Sequence, residues 1–119
     1  MASALVDNGK NVALDALAGV AVYASLHTGA PSTTGANEVT GGSPAYARKG
    51  VTWAAAAAGV IAMAATFPVF DVPASTTVAY VGLFSALTAG TFYGYWDVTD
   101  EVFASAGLYT LSAAFTITL

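Results

Sequence analysis

Leu108-Tyr109-Thr110-Leu111-Ser112-Ala113-Ala114-Phe115-Thr116-Ile117-Thr118-Leu119 is the stretch that decides the fold. Tyr109, Leu111, Ala113, Phe115, Ile117 and Leu119 fall on one side of an extended chain. Leu108, Thr110, Ser112, Ala114, Thr116 and Thr118 fall on the other. A period of two is the mark of a half-buried strand. A one-residue slip would exchange a greasy face for a hydroxyl face, so the register is well specified. Moving upstream, Phe92 to Val98 alternates in the same way, as does Thr77 to Ser85. Phe67 to Val72 reads as a short strand that Pro68 confines to an edge or an end. Turns are expected at Pro73-Ala74-Ser75, Ala89-Gly90 and Ala106-Gly107, and a charged bend at Thr99-Asp100-Glu101. Short strands at regular spacing predict a mainly β chain, an antiparallel sandwich or barrel, with the jelly-roll type among its forms.

The first half is less regular. Val6, Ala13, Leu14 and Leu17 recur at helical spacing and predict a short N-terminal α-helix over residues 4–18. Ser3 would cap it and Gly19 would stop it. Asp7 and Lys10 are spaced to pair across one turn. Residues 20–27 then alternate as the first strand, with one apolar face. Residues 28–44, rich in Gly, Ser, Thr and Pro, predict an extended loop, and a long loop in a compact domain suits partner contact. Residues 46–119 carry the remaining strands of a single domain, 1–119. Within them the alanines of 54–65 leave strand and helix open, with two strands and a turn near Gly59 preferred.

Composition narrows the function. Charged residues make up 8% of the 119 residues, against about 25% in an ordinary soluble domain. Alanine supplies 27 positions, so the apolar excess is small rather than greasy. Depletion of charge is what the centre of a protein interface shows. The longest apolar run, residues 53–65, falls short of the roughly 20 residues of a membrane span. No signal peptide is visible, and a soluble chain without membrane contact is expected. With three basic residues (Lys10, Arg48 and Lys49) and a net charge of −4, the chain lacks the basic footprint that phosphate backbones demand. Nucleic acid is therefore not an expected partner.

Catalytic chemistry is poorly provided for. There is no cysteine, and His27 is the single histidine. Neither a catalytic triad nor a two-histidine metal site can be built from one chain of this kind. Asp97, Asp100 and Glu101 match no calcium loop and read as a solvated bend. Gly41-Gly42-Ser43 lacks the strand-then-helix setting of a phosphate cradle. No enzyme activity, cofactor or metal is expected. Phe92, Tyr93, Tyr95 and Trp96 place rings on both faces of one strand, which fits cross-strand packing, a protein interface or stacking on sugars. The candidate interface residues are Leu14, Leu17, Glu38, Tyr46, Arg48, Trp53, Tyr93, Tyr95 and Trp96.

The run Tyr23-Ala24-Ser25-Leu26-His27-Thr28-Gly29, then Thr34-Gly35-Ala36-Asn37-Glu38-Val39, then Gly41-Gly42-Ser43-Pro44-Ala45-Tyr46-Ala47-Arg48, resembles a family of small tailed-bacteriophage virion proteins of actinobacteriophage type. Members carry minor tail or tail-fibre labels, and similar proteins serve as capsid cement. Thr52 to Ala56, Phe70 to Ala74 and Val81 to Ala86 extend the resemblance over nearly the whole chain. It implies a short opening helix, a structural role in the virion after synthesis in the host cytoplasm, and no catalytic residues. The leading expectation is a minor tail protein at the tip or fibre. It would pack as a homo-oligomer, with a trimer among the forms, and against other virion proteins. The alternatives are a capsid decoration protein and a carbohydrate-binding module that meets host cell-wall glycan.

Overall fold

The computed structural model describes residues 1–64 and 67–119. The chain runs α1 (Asp7–Ala18), β1 (Tyr23–His27), β2 (Lys49–Gly50), β3 (Val60–Ala62), β4 (Val69–Val72), β5 (Thr76–Phe84), β6 (Phe92–Phe103), β7 (Gly107–Thr110) and β8 (Thr116–Thr118). The architecture is mainly β with one short N-terminal helix, as expected, and every strand pairing is antiparallel. One sheet has the order β2-β1-β5-β6, while β3-β8 and β4-β7 form two small sheets. A common core unites them. Ala24, Leu26, Val81 and Leu83 of the large sheet pack with Phe70, Val72, Met63 and Leu111.

The helix starts later than its apolar spacing suggests. Val6 is the N-cap, without a side-chain hydrogen bond, so Ser3 does not cap it. Asp7 in the first turn supplies the negative charge that the amino end of a helix favours. Gly19 ends the helix in right-handed geometry, its N–H donating to the Asp15 carbonyl and the next N–H, of Val20, to the Leu17 carbonyl. Val6 and Ala13 of the expected apolar face are exposed, and Leu14 alone is buried. Two helix side chains then fix the neighbouring hairpin. Asn11 Oδ1 accepts from the Gly59 N–H at 2.9 Å, and Asp15 Oδ1 from the Ala56 N–H at 2.9 Å.

That hairpin settles residues 54–64 as extended chain around a tight turn. Ala58 and Gly59 have φ of 51° and 75°, and Ala57 and Val60 exchange both backbone hydrogen bonds at 3.0 Å. Positive φ at both central positions is the two-residue hairpin turn that matches strand twist. The end of the alanine-rich stretch, residue 65, lies outside the described residues.

Three further expectations are corrected. The first strand covers 23–27 rather than 20–27, and it is buried on both faces, not one. Residues 28–44 form a loop, as expected, but one folded back on the sheet rather than standing away from it. Thr28 N–H donates to the Asn37 carbonyl and Ala36 N–H to the Pro31 carbonyl, both at 2.9 Å, and Glu38 bridges back to His27. The folded-back loop is what covers the second face of β1. Thr99-Asp100-Glu101 is not a bend, because β6 continues through it to Phe103. Residues 98–100 stand opposite the single residue Ala79, a bulge that lets the acids project into solvent while pairing resumes at Glu101.

The closing stretch keeps its facing but not its continuity. It splits into β7 and β8 around a turn at Ala113-Ala114. Ser112 makes the turn, its carbonyl accepting from the Phe115 N–H at 3.2 Å. β7 then pairs with β4 and β8 with β3.

Candidate interaction surfaces

Glu38, Tyr46 and Arg48 come together, and the structure spends them internally. Arg48 Nε donates to Glu38 Oε2 at 2.9 Å and Arg48 Nη2 to Glu38 Oε1 at 3.0 Å, a two-pronged pair. Arg48 Nη1 donates to the Ala86 and Ala89 carbonyls at 2.9 and 2.7 Å. Its guanidinium lies 3.4 Å above the centre of the Phe84 ring. A planar fork over an aromatic face is a role lysine cannot fill. Tyr46 O–H donates to Glu38 Oε2 at 2.8 Å and accepts from the Leu26 N–H at 2.9 Å. Burial pushes the Tyr46 phenol far above its usual range, and the Glu38 carboxylate adds to that.

His27 sits beneath this lock, fully buried. Its Nδ1 lies 2.7 Å from the Ala36 carbonyl, which can only accept, so Nδ1 carries the proton. Nε2 in the neutral ring then accepts from Ser25 O–H at 2.7 Å. Burial lowers the imidazole pKa. The Ala36 hydrogen bond and Glu38 oppose that shift, and Arg48 reinforces it. Gly82 makes room for the pair: a Cβ there would stand 2.6 Å from Ser25 Oγ and 2.7 Å from His27 Nε2. Gly35, at φ +76°, lets the loop pass over Phe84, whose ring a Cβ would meet. His27 is thus a structural histidine that holds the 28–38 loop on the sheet.

The tryptophans belong to a second cluster. Trp53 Nε1 donates to the Ala21 carbonyl at 2.9 Å and Trp96 Nε1 to the Thr116 carbonyl at 2.8 Å. The two indoles lie 6.3 Å apart, and Trp96 meets Phe115 edge-on at 5.2 Å. Leu14 is buried, whereas Leu17 lines a groove of about 270 Å³ beside β6. Leu83 and Gly94 border this groove from the large sheet, and Thr116, Ile117 and Thr118 from β8. Tyr93 and Tyr95, 40% and 48% exposed, border it too. No charged side chain lines it.

Other exposed apolar side chains escaped the sequence reading. Val102 is 73% and Leu108 64% exposed, and Val69 joins Leu108 on the outer side of β4-β7. The signal was available for Leu108, the single aliphatic residue among the hydroxyl and alanine positions of its alternating face. Among the described residues no group of three or more His, Cys, Asp or Glu could hold a metal ion, and no helix is long and apolar enough to cross a membrane.

These features define a charge-poor antiparallel β protein whose polar side chains serve its own loops. A model of the family described as Podophage GP4 fiber I protein gp80 matches residues 3–115, nearly the entire chain, and the chain belongs to that family. No curated protein and no solved structure matches it. The resemblance of residues 23–48 to phage virion proteins agrees with this family. The chain is a structural component of a phage virion.

Proposed function

We propose that the chain is a non-enzymatic subunit of the phage tail, packed as a homo-oligomer and against neighbouring virion proteins. The fibre family over residues 3–115 carries this reading. Val69, Val102 and Leu108, together with Tyr93 and Tyr95, supply apolar surface whose burial is worth about 25 cal/mol per Å², less the cost of association. Immunoblotting of tail-only and head-only fractions from purified particles tests the location. Signal in the tail fraction is expected. Signal confined to heads would turn the reading to capsid decoration.

The exposure of Tyr93 and Tyr95 favours a second reading, in which the uncharged groove beside Trp96 meets a host cell-wall glycan. Rings that stand clear of the fold can stack on sugar faces. Quenching of tryptophan fluorescence by cell-wall saccharides is its test, and unchanged emission across a panel would remove it.

A further inference from the structure

We infer that the outer edge of β6 joins a second copy of this chain, antiparallel across a two-fold axis at Tyr95; the inference rests on the oligomeric reading above and names its surface. β6 is the last strand of the four-stranded sheet, hydrogen-bonded only to β5. Among the described residues, no backbone bond from elsewhere closes its outer side. Such an edge is a template for another strand. The other edge of that sheet is the two-residue β2, too short to offer the same.

The bulges at its two ends confine regular pairing to Gly94–Asp97. Charge and facing then select the register. A two-fold axis normal to the sheet keeps every side chain on its own face, so the axis must pass through a residue. An axis at Asp97, Asp100 or Glu101 sets identical carboxylates against each other. An axis at Thr99 opposes Asp97 to Glu101 twice. Like charges directly opposite are destabilising. An axis at Val98 falls within the bulge. An axis at Gly94 runs the pairing into the irregularity at Tyr93, and one at Trp96 clears the acids but sets the two indoles against each other. At Tyr95 every acid clears its mate as well, with Asp97 facing Tyr93 and Trp96 facing Gly94. Nothing lies within 4 Å of where a Gly94 Cβ would be, so the large indole has space opposite it. The uncharged groove runs beside the same edge and receives the core-side rims of the joined strands. The product is one continuous sheet with four strands from each copy.

The test begins with light scattering of the purified full chain, where a dimer or an even-numbered multiple of it is expected. A monomer at all concentrations overturns both this edge and the oligomeric reading. A trimer overturns the edge alone. The double variant Tyr93→Lys, Tyr95→Lys is expected to lose the dimer while keeping the wild-type circular dichroism, and a dimer that survives it overturns the proposal. Because the chain has no cysteine, Tyr95→Cys gives a single thiol and a readout independent of those lysines. Mild oxidation is expected to yield a disulfide-linked dimer, while Leu108→Cys on the β4-β7 face does not. The reverse pattern overturns the proposal and moves the interface to the outer side of β4-β7.

Discussion

Arg48 grips Glu38 with two parallel hydrogen bonds at 2.9 and 3.0 Å, and with its remaining nitrogen ties down the Ala86 and Ala89 carbonyls. One side chain therefore joins the 28–38 loop to the 85–91 turn across the end of the large sheet. The Arg48 side chain is 9% exposed and that of Glu38 22%, so solvent screens the pair weakly. Arg48→Lys keeps the charge but loses the fork and the ring stacking. It is expected to lower stability by about 1–3 kcal/mol. Chemical denaturation checks this, and an unchanged midpoint would show the fork to be dispensable.

His27 makes stability fall in acid. Its folded pKa is lowered from 6.5, so the unfolded chain takes up a proton first as pH falls. The contribution is fully present above pH 6.5 and is lost progressively below it. As the single histidine, its imidazole can be followed by NMR titration. A midpoint below 6.5 is expected, and one at or above 6.5 would contradict the burial.

Tyr46 acts at the other end of the scale. Its folded pKa is raised from 10.0, so its contribution is intact below pH 10 and is lost as pH rises beyond it. Spectroscopic titration of the six tyrosines should show Tyr46 ionising only as the fold opens. Tyr46→Phe should remove that step and, by stranding the Leu26 N–H, cost about 1–3 kcal/mol near neutral pH.

Two glycines of adjacent strands should respond oppositely to the same methyl group. Gly82→Ala drives a Cβ into Ser25 and His27, and is expected to cost about 1–3 kcal/mol. Gly94→Ala meets open space within its own copy and, measured on the dissociated chain, should stay within ~0.5 kcal/mol of the parent. Paired thermal melts decide it, and equal losses would show that strand propensity, not space, governs both sites.

Leu14→Ala is expected to destabilise by roughly 2–5 kcal/mol, because the helix has no other fully buried side chain. Val12→Ala, at a position 71% exposed, should cost little. Denaturation midpoints of the two variants distinguish them, and equal midpoints would mean that the helix contributes little to the fold.

The alternating runs made β5, β6 and the facing of the C-terminal stretch legible, since half-burial writes itself into the sequence at period two. Gly59 likewise marked its turn. The split at Ser112–Ala114 was hidden because Leu111 and Phe115 lie four residues apart, an even number, so parity survives the turn. The acids of 99–101 disguised a strand as a bend, since a bulged edge lets charge reach water without leaving the ladder. Glu38, Tyr46 and Arg48 could be singled out by type alone. Their mutual contact depends on a loop that folds back through Pro31–Ala36 and Thr28–Asn37 bonds, which spacing along the chain does not encode. The burial of His27 follows from the same loop.

The division of the last residues between β7 and β8 has a consequence for synthesis. β3 and β4 are made about 56 and about 38 residues before the strands that complete them, which follows from their pairing with 116–118 and 107–110. Until those residues emerge, two strands present bare backbone edges and the core lacks Leu111 and Phe115. Closure of such distant pairs is slow and exposes edges to stray partners while it waits. The chain therefore commits to its fold late, once residues 107–118 are free to pair. The same delay keeps apolar surface open at the moment when sister copies are being made nearby.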